Sequence, residues 1–424
     1  MCSCVEIECS SPAVPDVVEK PYGLYPGLDS FSADYDAEDY GSWIEQSNGD
    51  PLPAPLALYL QDVCHAESAP VRGADISSSR RLHAIERELI LQGALFDSDR
   101  PLQQLIISGS MATRWTDDQL YRLISVVQES FTINQSGIAN WCACMGSAPP
   151  SQSRLRLLRV LGFSSVRFAY SDDAYSASAL DEIATGISQA RRLGIHQIVL
   201  ELILHEQQMH TPTQDLEAFL SEVGPDRVRL VCGHENRNQS MCRLLSVLGY
   251  QNIGLDWFLH SDDIWLQAKA AGLLRWSPLG YTDLPNPDVI GVGPGAISSV
   301  GEFYAVNECR WQPYEALVMQ RKIPVVRGIE LEADDVLRRE IMGMILSAAC
   351  IRVAAIEEKW GIQFRTFFAH ELEHLREFEQ KNWLEWQADS IRIRAQGYRQ
   401  LTELCRLFDH RARRPLSRPS LSFV

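Results

Sequence analysis

The sequence is short of positive charge. Its 39 Lys and Arg stand against 55 Asp and Glu, a formal net charge of -16 over 424 residues. A surface of that sign repels phosphate backbones, which argues against nucleic-acid binding as the main activity. Long hydrophobic runs are also missing: no stretch approaches 18 uncharged apolar residues, so no membrane span is expected. The opening MCSCVEIECSSP carries acids and no apolar core, which argues against a secretory signal and for a cytoplasmic location. There are 11 cysteines, an odd number, and in such a compartment they are expected to be reduced and mostly buried. Only Cys2, Cys4 and Cys9, and then Cys142 and Cys144, cluster in sequence. A CxC pair is a weak metal signal where three or four ligands are needed, and no metal-ligating set is predicted.

What is present is a repeating α/β texture beginning near Leu56. PLALYL and PLQQLIISGS read as strands, and WTDDQLYRLISVVQESF reads as a helix capped by Thr116. Gly162 closes the helix SRLRLLRVLGF and Gly194 closes ALDEIATGISQARRLG, with the strands SSVRFAY and HQIVLELIL after them. The cycle continues through LEAFLSEVG, DRVRLVC, NQSMCRLLSVLGY and a strand NIGLDWF. Helix, glycine, then a β-rich apolar run marks βα units with a buried parallel sheet. About six units fit, and periodicity alone leaves barrel and doubly wound sheet both open.

The two ends differ from this middle. Residues 1–50 read as an arm laid over a larger body. From 311 the texture becomes helical with small strands, which suggests a winged-helix-like domain over 311–424. Acidic helices and the lack of a basic recognition helix argue against DNA as its ligand. The exception to the acidic balance is the tail, where eight arginines face two acids between Ile391 and Val424. That tail is expected to be an electrostatic strap on the acidic body, with a carboxylate or phosphate ligand as the alternative.

Several motifs in order carry a family resemblance: Ile253-Gly-Leu-Asp-Trp-Phe, Ser261-Asp-Asp, Leu279-Gly-Tyr-Thr, Asp288-Val-Ile-Gly-Val-Gly-Pro-Gly-Ala-Ile-Ser-Ser-Val-Gly301, Tyr304, Asn307 and Val326-Arg-Gly-Ile-Glu. The chain resembles the oxygen-independent coproporphyrinogen III oxidase branch of the radical SAM superfamily over nearly its whole length. The resemblance implies an α/β fold with a partial (β/α)6-type barrel over 51–310, closed by the C-terminal domain. It also implies that Tyr25, in Leu24-Tyr-Pro-Gly-Leu, lies near the cofactors.

The family holds a [4Fe–4S] cluster with three thiolates spaced CxxxCxxC and leaves one iron open for SAM. Here Cys64 matches the first position, while Ser68 and Val71 occupy the others and Gly73 falls where a further cysteine stands. One thiolate cannot hold that cluster, so it is expected to be absent. Ser108-Gly-Ser-Met-Ala-Thr113 keeps one glycine, Gly109, of the SAM-binding strand end, and Met111 is expected to narrow it. An acid position falls on Cys144 and a glutamine position on Ser171, while Glu201 retains an acid.

These substitutions favour a non-catalytic binder of haem, porphyrin or another carboxylated tetrapyrrole. Its candidate contacts are Tyr25, Gly109, Glu201, Asp256, His260, Tyr281, Arg327 and the tail arginines. Plain structural roles compete for each: Asp256 as a cap, Tyr281 as packing, Arg327 as a bridge between domains. Two alternatives stand beside this one. Cys64 and His65 could serve a repurposed enzyme, alone or with a metal gathered by Glu201 or Glu206. The chain could also be a regulatory protein partner of an active relative.

Overall fold

A computed structural model describes residues 23–62, 77–133, 140–146, 150–172, 177–205, 213–232 and 235–411. Six strands form its parallel centre: β1 (Leu56–Leu60), β2 (Leu102–Ile107), β3 (Asn140–Gly146), β4 (Ser165–Ser171), β5 (Gln197–Leu204) and β6 (Arg227–Cys232). They pair in sequence order, all parallel. Each connection among the described residues contains a helix, and the outward residues of the strands pack under these helices as one large core. The expected local signals are met. Thr116 forms a capping box with Gln119, and Gly162 and Gly194 take φ of 100° and 80°.

The run NIGLDWF is not the single strand its composition suggests. It folds back as β7 (Tyr250–Gly254) and β8 (Trp257–His260), antiparallel, with Gly254 at φ 134° and Leu255 at φ 51° in the turn. A small hairpin follows, β9 (Arg275–Ser277) and β10 (Gly280–Thr282). On the other flank β11 (Asp288–Val292) lies parallel to β1, followed by the antiparallel β12 (Ile297–Val300), β13 (Phe303–Asn307) and β14 (Val325–Glu330). The main sheet therefore has 12 strands. It continues to Glu330, past the change of texture at 311. The helix Ala37–Asn48 of the arm covers its outer face through Tyr40, Trp43 and Ile44.

Past the sheet, helices surround a three-stranded sheet of β15 (Cys350–Ile351), β16 (Leu384–Trp386) and β17 (Ile391–Ile393), in the order β15-β17-β16. Its first helix, Ala333–Ala348, is about 24 Å long at 1.5 Å per residue. Arg339 on this helix donates to the Gly301 carbonyl in the β12–β13 turn at 3.2 Å. Near its other end, Tyr281 donates to the Leu346 carbonyl at 2.8 Å. One rigid bar thus joins the two flanks of an open barrel.

Candidate functional site

Parallel α/β sheets present their variable chemistry where the strands end, because the loops there leave a scaffold whose helices fix every strand. The register of β1 to β6 stacks the lumen in layers. At the amino-terminal end Gln104, Ser165, Gln197 and Arg227 line a cavity of about 50 Å³ beneath Trp257 and Tyr281. Such a volume holds about one or two waters, far less than an organic ligand. Above it Tyr59, Ile106 and Cys144 form a small apolar plug, with Cys142 and Leu279 packed against it. The Cys142–Cys144 pair faces the lumen from β3.

The next layer is ionic. Arg229 donates to Glu201 at 2.9 Å and to Asp256 at 2.9 Å, and Arg167 stands 3.6 Å from Glu201. Two cations thus meet two anions, and none of the four offers an uncompensated charge to a ligand. Nearer the strand ends the lumen turns apolar again. Ala169 and Ile203 are half-buried, and Val231 is 37% exposed. This shelf is the one place where β4 to β6 show open apolar surface inward.

The rim around the shelf is polar and tightly held. Ser171 Oγ lies 3.1 Å from His205 Nε2. The His205 amide donates to Asp172 Oδ1 at 2.8 Å, and Asp172, which is fully buried, also accepts from Arg237. Asp172 and Arg237 were not anticipated from the sequence. Arg237 comes from the helix Glu235–Val247, and nothing in CGHENR marks an arginine that reaches across two strands. Asp172 could have been found, since it directly follows the end of β4. Across the mouth, Asp62 accepts from Trp115 Nε1 at 2.8 Å, and Arg81 donates to its carbonyl.

The sequence candidates scatter over this frame. Cys64 and His65 lie outside the described residues. Gly109 opens the helix Gly109–Arg114 on the rim, after Ser108, whose amide donates to Leu60 at 2.9 Å. Met111 does not narrow the mouth: it is fully buried in the outer core between sheet and helices. Glu201 pairs in register with Ala169 at the lower edge of the shelf, and Asp256 shares its arginine. Tyr281 is a packing residue, 3% exposed, edge-on to Trp276 and bonded to Leu346.

Tyr25 is buried in the C-terminal core, with its hydroxyl 2.7 Å from His410 Nδ1. Burial, then the neighbouring Asp335, push that phenol well above its ordinary range. Arg327 is exposed on β14, at the opposite edge of the sheet from β4 to β6. His260 is exposed at the end of β8. Of the eight tail arginines, Arg392, Arg394, Arg399, Arg406 and Arg411 are described. Arg394 pairs with Glu385 at 2.6 Å, Arg406 with Glu403 at 3.1 Å, and Arg411 forms a bidentate strap to Asp335 at 2.8 and 2.6 Å.

The comparisons with known proteins agree with this architecture. The oxygen-independent coproporphyrinogen III oxidase of Salmonella typhimurium is 26% identical over 434 residues, covering 92% of each chain. That of Helicobacter pylori is 24% identical, covering 92% of this chain and 93% of the relative. The chain is homologous to these oxidases. No family model matches it. The solved coproporphyrinogen III oxidase from Escherichia coli, described as a radical SAM enzyme, superposes with a TM-score of 0.80 at 23% identity, over 92% of this chain and 97% of that one. That structure fixes the fold: a partial radical SAM-type barrel with its closing domain. No helix among the described residues is long and apolar enough to cross a membrane.

Proposed function

We propose that this chain is a non-catalytic relative of the coproporphyrinogen oxidases that works in the cytoplasm and binds a carboxylated tetrapyrrole in the barrel mouth. The observation that carries it is the donor set of the cluster loop. Where the relatives' chemistry needs three thiolates, this sequence supplies Cys64, Ser68 and Val71. A neutral serine oxygen is a poor iron ligand and valine has no donor atom, so these residues do not fit a [4Fe–4S] cluster. Without the cluster no electron reaches SAM.

The relatives' named substrate and the open apolar surface inside the strand ends support this ligand class. An apolar shelf at Ala169, Ile203 and Val231, rimmed by Ser171 and His205, suits a flat macrocycle with polar substituents at its edge. Two measurements test the proposal separately. Anaerobic reconstitution with iron and sulfide is expected to leave substoichiometric iron; four irons per chain with cluster absorbance would overturn the loss of catalysis. Titration with haem and with coproporphyrin is expected to give a saturable Soret change near one per chain; no change with either would end the ligand assignment.

A further inference from the structure

The C-terminal domain carries a sequence that the barrel does not use: His370-Glu371-Leu372-Glu373-His374, on the helix Ala369–Gln380. As letters it matches H-E-x-x-H, the helical pattern in which two histidines hold zinc and the glutamate acts as general base. The structure takes that pattern apart. Glu371 is 3% exposed and accepts from Arg338 at 2.9 Å, while Arg338 also binds Asp334 and the Phe408 carbonyl. A carboxylate fastened into the domain core in this way cannot attend a water on an exposed ion. The hydrolytic half of the pattern is therefore absent.

The histidines behave in the opposite way. His370 and His374 are exposed on the outward face, one helical turn apart, with ring centroids 5.0 Å apart and planes at 62°. Residues at i and i+4 are surface neighbours, so the helix itself holds the pair together. An imidazole nitrogen binds zinc at about 2.0–2.1 Å, which puts its ring centroid about 3.2 Å from the ion. Two centroids 5.0 Å apart then subtend about 100° at a shared ion, within the range of tetrahedral and square-based geometries. Rotation about the exposed Cβ–Cγ bonds aims the two nitrogens.

We propose that His370 and His374 form a surface chelate for a divalent transition-metal ion of the zinc, copper or nickel class. Each imidazole lends one nitrogen lone pair, and water fills the remaining positions. Imidazole suits these ions and discriminates against magnesium and calcium, which prefer oxygen. Glu373 and Glu377 are exposed on the same face and add negative potential beside the ion. Among the described residues no three ligating side chains converge. The site is accordingly an open, exchangeable chelate rather than a closed structural centre.

Calorimetric titration of the untagged full-length protein with zinc chloride, repeated with nickel chloride, tests this. The wild type is expected to show one site that His370→Ala and His374→Ala each weaken at least tenfold and that the double variant abolishes. Saturating nickel is expected to raise the melting temperature of the wild type and to leave that of the variants unmoved. Metal-free circular dichroism and melting of the variants should match wild type, since both side chains are exposed. Binding retained in both variants, which would place the ion on cysteines elsewhere, overturns the proposal, as does no wild-type binding at millimolar metal.

Discussion

Two turns follow neighbouring parallel strands, the loop after β1 and the loop after β11, and the family resemblance bears on them differently. The β11 side carries the longest of the motifs on which the family resemblance rests, and the structure gives several of its residues a mechanical reason. Asp288 accepts from buried Arg100, from Ser47 at 3.0 Å and from the Gly301 amide at 2.7 Å. Ser298 accepts the Gly291 amide at 3.0 Å, and a Cβ on Gly291 would stand 2.4 Å from the Ile297 carbonyl. Asn307 donates to Glu88 at 2.6 Å and to the Gly293 carbonyl at 3.0 Å. On the β1 side the same resemblance rests on a single cysteine, Cys64. The resemblance is thus carried mainly by residues that hold the sheet together, so it speaks more strongly to fold than to chemistry.

The sharpest way to break this contrast is at Gly293. Its φ is 114°, and a Cβ there would lie 1.8 Å from the Gln61 carbonyl. The side chain cannot be placed without parting β1 from β11. Gly293→Ala is expected to cost more than about 4 kcal/mol, by strain and backbone overlap together. Urea denaturation, or failure to recover folded protein, reads this out; a loss under about 1 kcal/mol would show that the turn is not a structural lock.

Next is the buried pair of Arg100 and Asp288, each under 8% exposed. Removing one partner strands the other charge inside, so Asp288→Ala is expected to destabilise by about 3–5 kcal/mol. Replacing both by apolar residues should recover part of that loss. If the single and double variants fall equally, the pair is not the unit that matters.

Glu88 tests the same side through pH. Burial pushes its carboxyl from 4.5 up to about 7, against the pull of Tyr314, the Gly293 amide, Asn307 and Gln92. Between those two values the folded protein keeps a proton that the unfolded chain has released. This contribution to stability is therefore full below 4.5 and is lost as pH rises through about 7. The expected decline is on the order of 3 kcal/mol, and Glu88→Gln should flatten it. Chemical denaturation of both proteins from pH 4.5 to 8 measures the difference, and parallel curves would reject the assignment.

How much of this was legible follows the same division. Periodicity and glycines located five of the six parallel strands, because a strand buried on both faces tends to be apolar along its length. The exception is β3, whose letters are the mixed Asn140-Trp-Cys-Ala-Cys-Met-Gly146 and which was not read as a strand. The β7–β8 turn was missed although Asn252, Gly254 and Asp256 disfavour strand, because Ile253, Leu255, Trp257 and Phe258 around them read as one apolar run. In it Gly254 and Leu255 take positive φ. The layering of the lumen was hidden too. Whether Arg229 faces Glu201 or solvent depends on the register between β5 and β6, which no single strand encodes. Met111 went the wrong way for a related reason: after β2 the chain starts a helix at once, turning that side chain outward into the core. Tyr281 and Asp256 were plausible contacts by motif, yet each found a partner within the protein.

The smallest expected effect on stability falls on the mouth, and there the contrast predicts a dissociation. Val231 is 37% exposed on the shelf, so changing it removes little buried area. Val231→Glu is expected to shift stability by no more than about 0.5 kcal/mol. The same carboxylate would lie against the apolar face of a bound macrocycle, where it must either lose its water or exclude the ligand. Porphyrin affinity is therefore expected to fall at least tenfold while the melting temperature holds. Both quantities falling together would make the shelf part of the scaffold, like the β11 turn. Both holding, in a protein whose wild type binds porphyrin, would move the ligand elsewhere on the chain.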